Sequence, residues 1–170
     1  MFPNTNKVRS PAEALGVFPL GLGISLAIWG LFYFFDRLLS LPPFPIHPLL
    51  RLGLLIMFIT DFAYLMIGGV VELKRCGWGQ SLATKGPYQF VRHPMVSAIV
   101  YSVTGFLAVG LKSILLLVSA LPLSILWSWL VQKEDAELER RFGRNYRQYR
   151  SGTGEFFPNF KALAEKAEKQ

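Results

Sequence analysis

The sequence predicts an all-α integral membrane protein of about four transmembrane helices, closed on its cytosolic side by a C-terminal amphipathic helix. Three observations predict this. Over 170 residues the chain is 52% hydrophobic and only 17% charged, with a mean hydropathy of +0.35, a balance that fits a small integral membrane protein better than a soluble domain. Four windows, 15–35, 52–71, 94–111 and 113–131, are almost free of charge, and each is long enough to cross about 30 Å of hydrocarbon as a helix. The basic residues also fall unevenly between the segments that join these windows. A single membrane domain over 1–170 is expected.

The first window follows Lys7 and Arg9, as a secretory signal would, but its apolar run exceeds the roughly 7 to 15 residues of a signal core and no small-residue cleavage site follows. It is expected to remain as an anchor. The next connection, 36–48, carries Pro42, Pro43, Pro45 and Pro48, which forbid regular helix and favour a stiff extended path. Midway along the second window stands Asp61, where a carboxylate costs about 2.5 to 3.5 kcal/mol on insertion scales. The expected remedy is a hydrogen bond to a neighbouring helix, to Ser102 or Thr104; a polar handle in an acceptor pocket is the alternative. Residues 74–88, rich in Gly, Ser, Thr and Lys, read as an irregular loop able to shape a pocket.

Windows three and four form a hairpin whose only charge is Lys112 at the turn between them. Beyond it, Leu138, Phe142, Tyr146 and Tyr149 recur at helical spacing and leave Arg140, Arg141, Arg144 and Arg147 to other faces. Tyr146 and Tyr149 are expected to pack this helix on the headgroup layer, and Gly152 and Gly154 to end it.

With four spans, the two termini and the 72–93 loop share one side and hold 15 of the 18 basic residues, leaving Arg37, Arg51 and Lys112 opposite. Lys and Arg are retained on the cytoplasmic side, so both termini are expected there. The net charge of +7 and pI near 9.8 then match anionic membrane lipids, and nucleic acid is not expected as a partner. Lone Cys76 can form no internal disulfide and has no metal-binding companions, so no metal is expected.

The chemistry lies in a split signature. The loop GPYQFVRHP, Gly86 to Pro94, precedes the hairpin; Glu134, Asp135 and FGRNYRQY, Phe142 to Tyr149, follow it. A hairpin that leaves the bilayer and returns brings two motifs about 40 residues apart onto one face. GPY, RHP, the acidic pair, FGxxYxxY and Pro158 together resemble the isoprenylcysteine carboxyl methyltransferase family, which is related to the membrane phospholipid N-methyltransferases. The resemblance runs from about Gln80 to Pro158 and matches the compact branch of that family.

It implies a methyltransferase that uses S-adenosyl-L-methionine, held in a pocket between 80–96 and 134–158 under the C-terminal helix, with an apolar or lipid-like acceptor arriving from the bilayer. The family's cofactor contacts fall on Gln80, Ser81, Leu82, Ala83, Tyr88, His93, Pro94, Met95, Val96 and Glu134. The catalytic candidates are Glu134, Arg92 and His93. These residue types suit the ligand, because a sulfonium and an ammonium need a carboxylate, a carboxylate needs a cationic donor, and adenine needs an apolar or aromatic wall.

Departures from the family pattern bear on the acceptor. Val96 stands where Tyr is usual, Thr153 and Gly154 where Val and Pro are common, and Leu130 where eukaryotic members have a basic acceptor-binding residue. A phospholipid N-methyltransferase and a small-thiol S-methyltransferase therefore stay open, as does a non-enzymatic four-helix scaffold. In that last reading Arg92 and His93 are interfacial anchors and Glu134 is a solvated helix end.

Overall fold

The computed structural model describes residues 17–160; Lys7, Arg9, Lys161, Lys166 and Lys169, which entered the charge argument, lie outside the described residues, as do the first two positions of the first window. Among the described residues four helices are long and apolar enough to cross a membrane: α1 Phe18–Leu38, α2 Pro48–Arg75, α3 Pro94–Leu111 and α4 Ile114–Phe142. A fifth, α5 Arg144–Gly152, follows. No strand occurs among the described residues; a single parallel bridge pairs Val91 with Gly154.

The third window matches its helix end for end, whereas the others are longer or shifted because polar residues continue a helix once its backbone bonds are in place. Thus α2 runs on through Lys74 and Arg75, and α4 carries the acidic pair out on a rigid rod. The expected continuous tail helix is broken at Gly143, whose positive φ of 54° ends α4 and turns the chain into α5.

α3 is the central helix, with 61% of its apolar window buried inside the protein, against 6% for α2 and 17% for α1. The outer helices present Leu and Ile side chains outward, as lipid contact requires. The core joins Trp29, Val100, Leu116, Leu123, Trp127 and Val131 across three of the spans. Its polar atoms are paired, as hydrocarbon demands: Trp29 Nε1 donates to Thr104 Oγ1 at 2.9 Å and Trp127 Nε1 to Ser25 Oγ at 3.0 Å. The middle of α3, Ala98–Val103, is π-helical. Within it Ser102 donates to Asp61 Oδ2 at 2.5 Å, the interhelical bond expected for that carboxylate; Thr104 is instead taken by Trp29.

The α3–α4 hairpin turns at Lys112, in the left-handed region with φ 52°, and Ser113 caps α4 by accepting from Leu116 N. Asp36 was expected in the loop but ends α1, buried, where it accepts from Ser113 Oγ at 2.8 Å and from Arg37 at 2.7 Å. This knot fixes the turn, and with it the angle at which α3 and α4 return to the opposite end.

Candidate functional site

At that opposite end the two halves of the signature meet. Gly86–Gln89 form one 3₁₀ turn, and Pro94 opens α3 at the position where its missing N–H costs nothing. His93, just before Pro94, is buried. Its Nε2 lies 2.8 Å from Asp135 Oδ1 and its Nδ1 4.0 Å from Glu134 Oε2. One imidazole before α3 therefore lies against both members of the acidic pair Glu134 and Asp135.

Asp135 is the buried centre of this rim. Besides His93 it accepts from the Tyr146 hydroxyl and from Arg92 Nη2, the latter at 3.4 Å. Arg92 also donates from Nη1 to the carbonyls of Thr153 at 3.2 Å and Arg150 at 3.4 Å, while its Nε is buried without a partner among the described residues. The tail is strapped to the loop by Arg92 N to Gly154 O at 2.8 Å, His93 N to Glu155 O at 3.2 Å and Ser97 Oγ to Phe156 O at 2.8 Å. Gly154 is required in this strap, since a Cβ there would lie 1.7 Å from the Phe157 carbonyl oxygen.

Beside the rim lies a half-enclosed pocket with about 740 Å³ of empty space, part of it open solvent. Ser81, Leu82, Ala83, Tyr88, His93, Pro94, Met95, Val96 and Glu134 all line it, as does Arg92. Of the expected cofactor residues, Gln80 is not among its lining residues; its side chain is exposed and packs on the turn at Gly77. Phe18, Trp127, Val131 and Leu138 supply apolar wall.

Two tyrosines correct the sequence reading. Tyr146 is fully buried and bonds Asp135, and Tyr149 donates to the Tyr88 carbonyl at 2.7 Å; both line the cavity and do not face the headgroups. The helix break at Gly143 turns their face inward, and continuous helical spacing concealed it. Burial pushes the phenols of Tyr88, Tyr146 and Tyr149 well above their ordinary value of 10.0, helped by the charge of Glu134 for Tyr88 and by the hydrogen bond and charge of Asp135 for Tyr146. They are neutral hydrogen-bond donors, not anions. Asp135 itself was legible as one of an acidic pair, but nothing in the sequence told which member turns inward.

Helices of membrane-spanning length, with a half-enclosed cavity of mostly apolar lining at one end of the central hairpin, describe a membrane protein with a candidate ligand site. A family model described as phospholipid methyltransferase matches residues 51–145, more than half of the chain, and the protein belongs to that family: it is a membrane methyltransferase. Searches of curated proteins and of solved structures found no match to this chain. The family match spans the RHP loop and the acidic pair and stops one residue before Tyr146.

Proposed function

We propose that the protein transfers a methyl group from S-adenosyl-L-methionine to an apolar or lipid-like acceptor, with this cavity as donor site, on the cytoplasmic side of the membrane. The observation that carries this reading is the convergence of His93, Glu134 and the 81–83 turn on one cavity from three separate stretches of chain.

The residues present fit the donor. Glu134 offers a half-exposed carboxylate to the cationic end, the buried Arg92 Nε–H is a donor still without a partner among the described residues, and Tyr88 and Tyr149 form an aromatic wall. Bound there, the donor would supply an electrophilic methyl on a cationic sulfur. The chain's own contribution is alignment and exclusion of water: Pro94 and the strap fix the loop, and Trp127 and Val131 close the apolar side. Acceptor entry from lipid is supported by the neighbouring apolar walls, and the cytoplasmic side by the concentration of Lys and Arg around this end. Isoprenylcysteine carboxyl methylation is the subtype the motifs resemble most; methylation of a lipid amine or a small thiol uses the same donor site.

The test is a calorimetric titration of S-adenosylhomocysteine onto protein in mild detergent, followed by a labelled-methyl assay against a panel of lipid, amine, thiol and prenylcysteine acceptors. Saturable binding is expected, and Glu134→Ala and His93→Ala should each weaken it about 10- to 100-fold, the effect of losing a hydrogen bond to a charged group. Wild-type affinity in both folded variants contradicts the assignment of the cavity.

A further inference from the structure

Asp135 fixes more than the position of a helix. A carboxylate bonded in this way only accepts, so the 2.8 Å contact with His93 is donated by Nε2–H. A neutral imidazole with its proton on Nε2 keeps a lone pair on Nδ1, and Nδ1 is the ring atom on the side of Glu134, at 4.0 Å. Both His93 and Glu134 line the cavity. The arrangement cannot swing: Tyr146 donates to the same Asp135 oxygen, Arg92 Nη2 holds the other at 3.4 Å, and the Phe156 ring stands edge-on to His93 at 6.2 Å between centroids.

We propose that Asp135, set in place by Tyr146, is a positioning residue that presents His93 Nδ1 to the cavity as a proton acceptor, so that the molecule methylated here carries a proton on its nucleophilic atom, as an amine, thiol or phenol does and a carboxylate does not. This rests on the methyltransferase reading above. A second observation supports it. Among the described residues Arg92 and His93 are the only basic ones lining the cavity, and both terminal nitrogens of Arg92 make hydrogen bonds, to Asp135 and to the Arg150 and Thr153 carbonyls. An acceptor carboxylate would meet the Glu134 side of the cavity with three of the five N–H groups of Arg92 already engaged.

In the step itself, the acceptor atom forms its bond to the methyl carbon with its own electron pair, the C–S bonding pair stays on sulfur, and the acceptor's proton passes to Nδ1. The imidazolium that results lies between carboxylates at 2.8 and 4.0 Å, which stabilise the charge until the proton leaves to water. On the far side of Asp135 a second, polar pocket, lined by Gln132, Glu139, Arg150 and Glu155, adjoins the same carboxylate.

The ring nitrogens of His93 report the arrangement without any donor present. The chain has two histidines, so nitrogen-15 spectra of a His47→Gln protein in micelles show His93 alone. The wild-type rim, in which His93 faces Glu134 and Asp135 from α4, Tyr146 from α5 and Arg92 from its own loop, should give the Nε2–H tautomer. Asp135→Asn should lose that preference, lower kcat on amine or thiol acceptors about 100-fold or more and leave S-adenosylhomocysteine affinity unchanged. Tyr146→Phe, which keeps the carboxylate, should lower kcat less and give a mixed tautomer; it carries the test if Asp135→Asn does not fold. An Nδ1–H tautomer in the wild type overturns the proposal alone, as does wild-type turnover in both variants or a folded Asp135→Asn protein that has lost donor affinity. A wild-type protein that binds no donor overturns the methyltransferase reading with it.

Discussion

Each end of the α3–α4 hairpin holds a buried aspartate, and the two serve different ends. Asp36 accepts from Ser113 and Arg37 and ties α1 to the turn; Asp135 accepts from His93, Arg92 and Tyr146 and ties α4 to the loop, the tail helix and the strap. Each end even has an arginine, Arg51 or Arg92, whose Nε is buried without a partner among the described residues. A buried, well-bonded carboxylate is therefore not by itself a functional centre. What separates the two ends is that the partners of Asp135 line an open cavity and include an imidazole whose second nitrogen lies 4.0 Å from Glu134, whereas those of Asp36 include a serine and its neighbouring arginine.

The sharpest way to break this comparison is to remove each carboxylate in turn. Asp135→Asn is expected to cost turnover by the factor given above while the protein stays folded. Asp36→Asn should do the reverse: thermal unfolding in detergent should fall by about 1 to 3 kcal/mol, the cost of leaving buried partners unpaired, with activity per folded molecule unchanged. Lost turnover in folded Asp36→Asn protein would erase the distinction between the ends.

A smaller effect sharpens the role of the strap. Gly154→Ala places a methyl against the Phe157 carbonyl, so it should destabilise the tail by about 1 to 3 kcal/mol and weaken donor binding, because Arg92 and His93 lose their backbone partners. Proteolysis of the tail with and without S-adenosylhomocysteine measures both. The smallest effect is alkaline. Folding raises the phenol pKa of Tyr88, Tyr146 and Tyr149, so the stability they contribute is complete below their unfolded value near 10 and is lost as pH climbs toward the folded values. Tyrosinate absorbance should show these three ionising only as the fold opens; ionisation near pH 10 in folded protein would mean that the rim is solvated.

The fold was legible because hydrocarbon imposes a length and a polarity that any span must meet, and the windows from Leu52, Pro94 and Ser113 met both. The site was legible to the extent that motif spacing converts into proximity: the hairpin fixed which side His93 and Glu134 share. Which residue of the pair Glu134 and Asp135 turns inward was not readable, because neighbouring helical positions differ by about 100° of rotation and only the packed partner decides. Tyr146 and Tyr149 were misread for a related reason, since one glycine at position 143 reorients every side chain after it. Gln80 shows the reverse: adjacency to a pocket turn does not make a lining residue.

Ultraviolet cross-linking of radiolabelled S-adenosylmethionine to the purified protein, followed by peptide mapping, addresses the central claim most directly. Saturable label is expected on peptides containing 81–96 and 134–149, displaced by S-adenosylhomocysteine and not found on 36–51. Label at the Asp36 end, or none that saturates, would contradict a methyl-donor site at the His93–Asp135 rim.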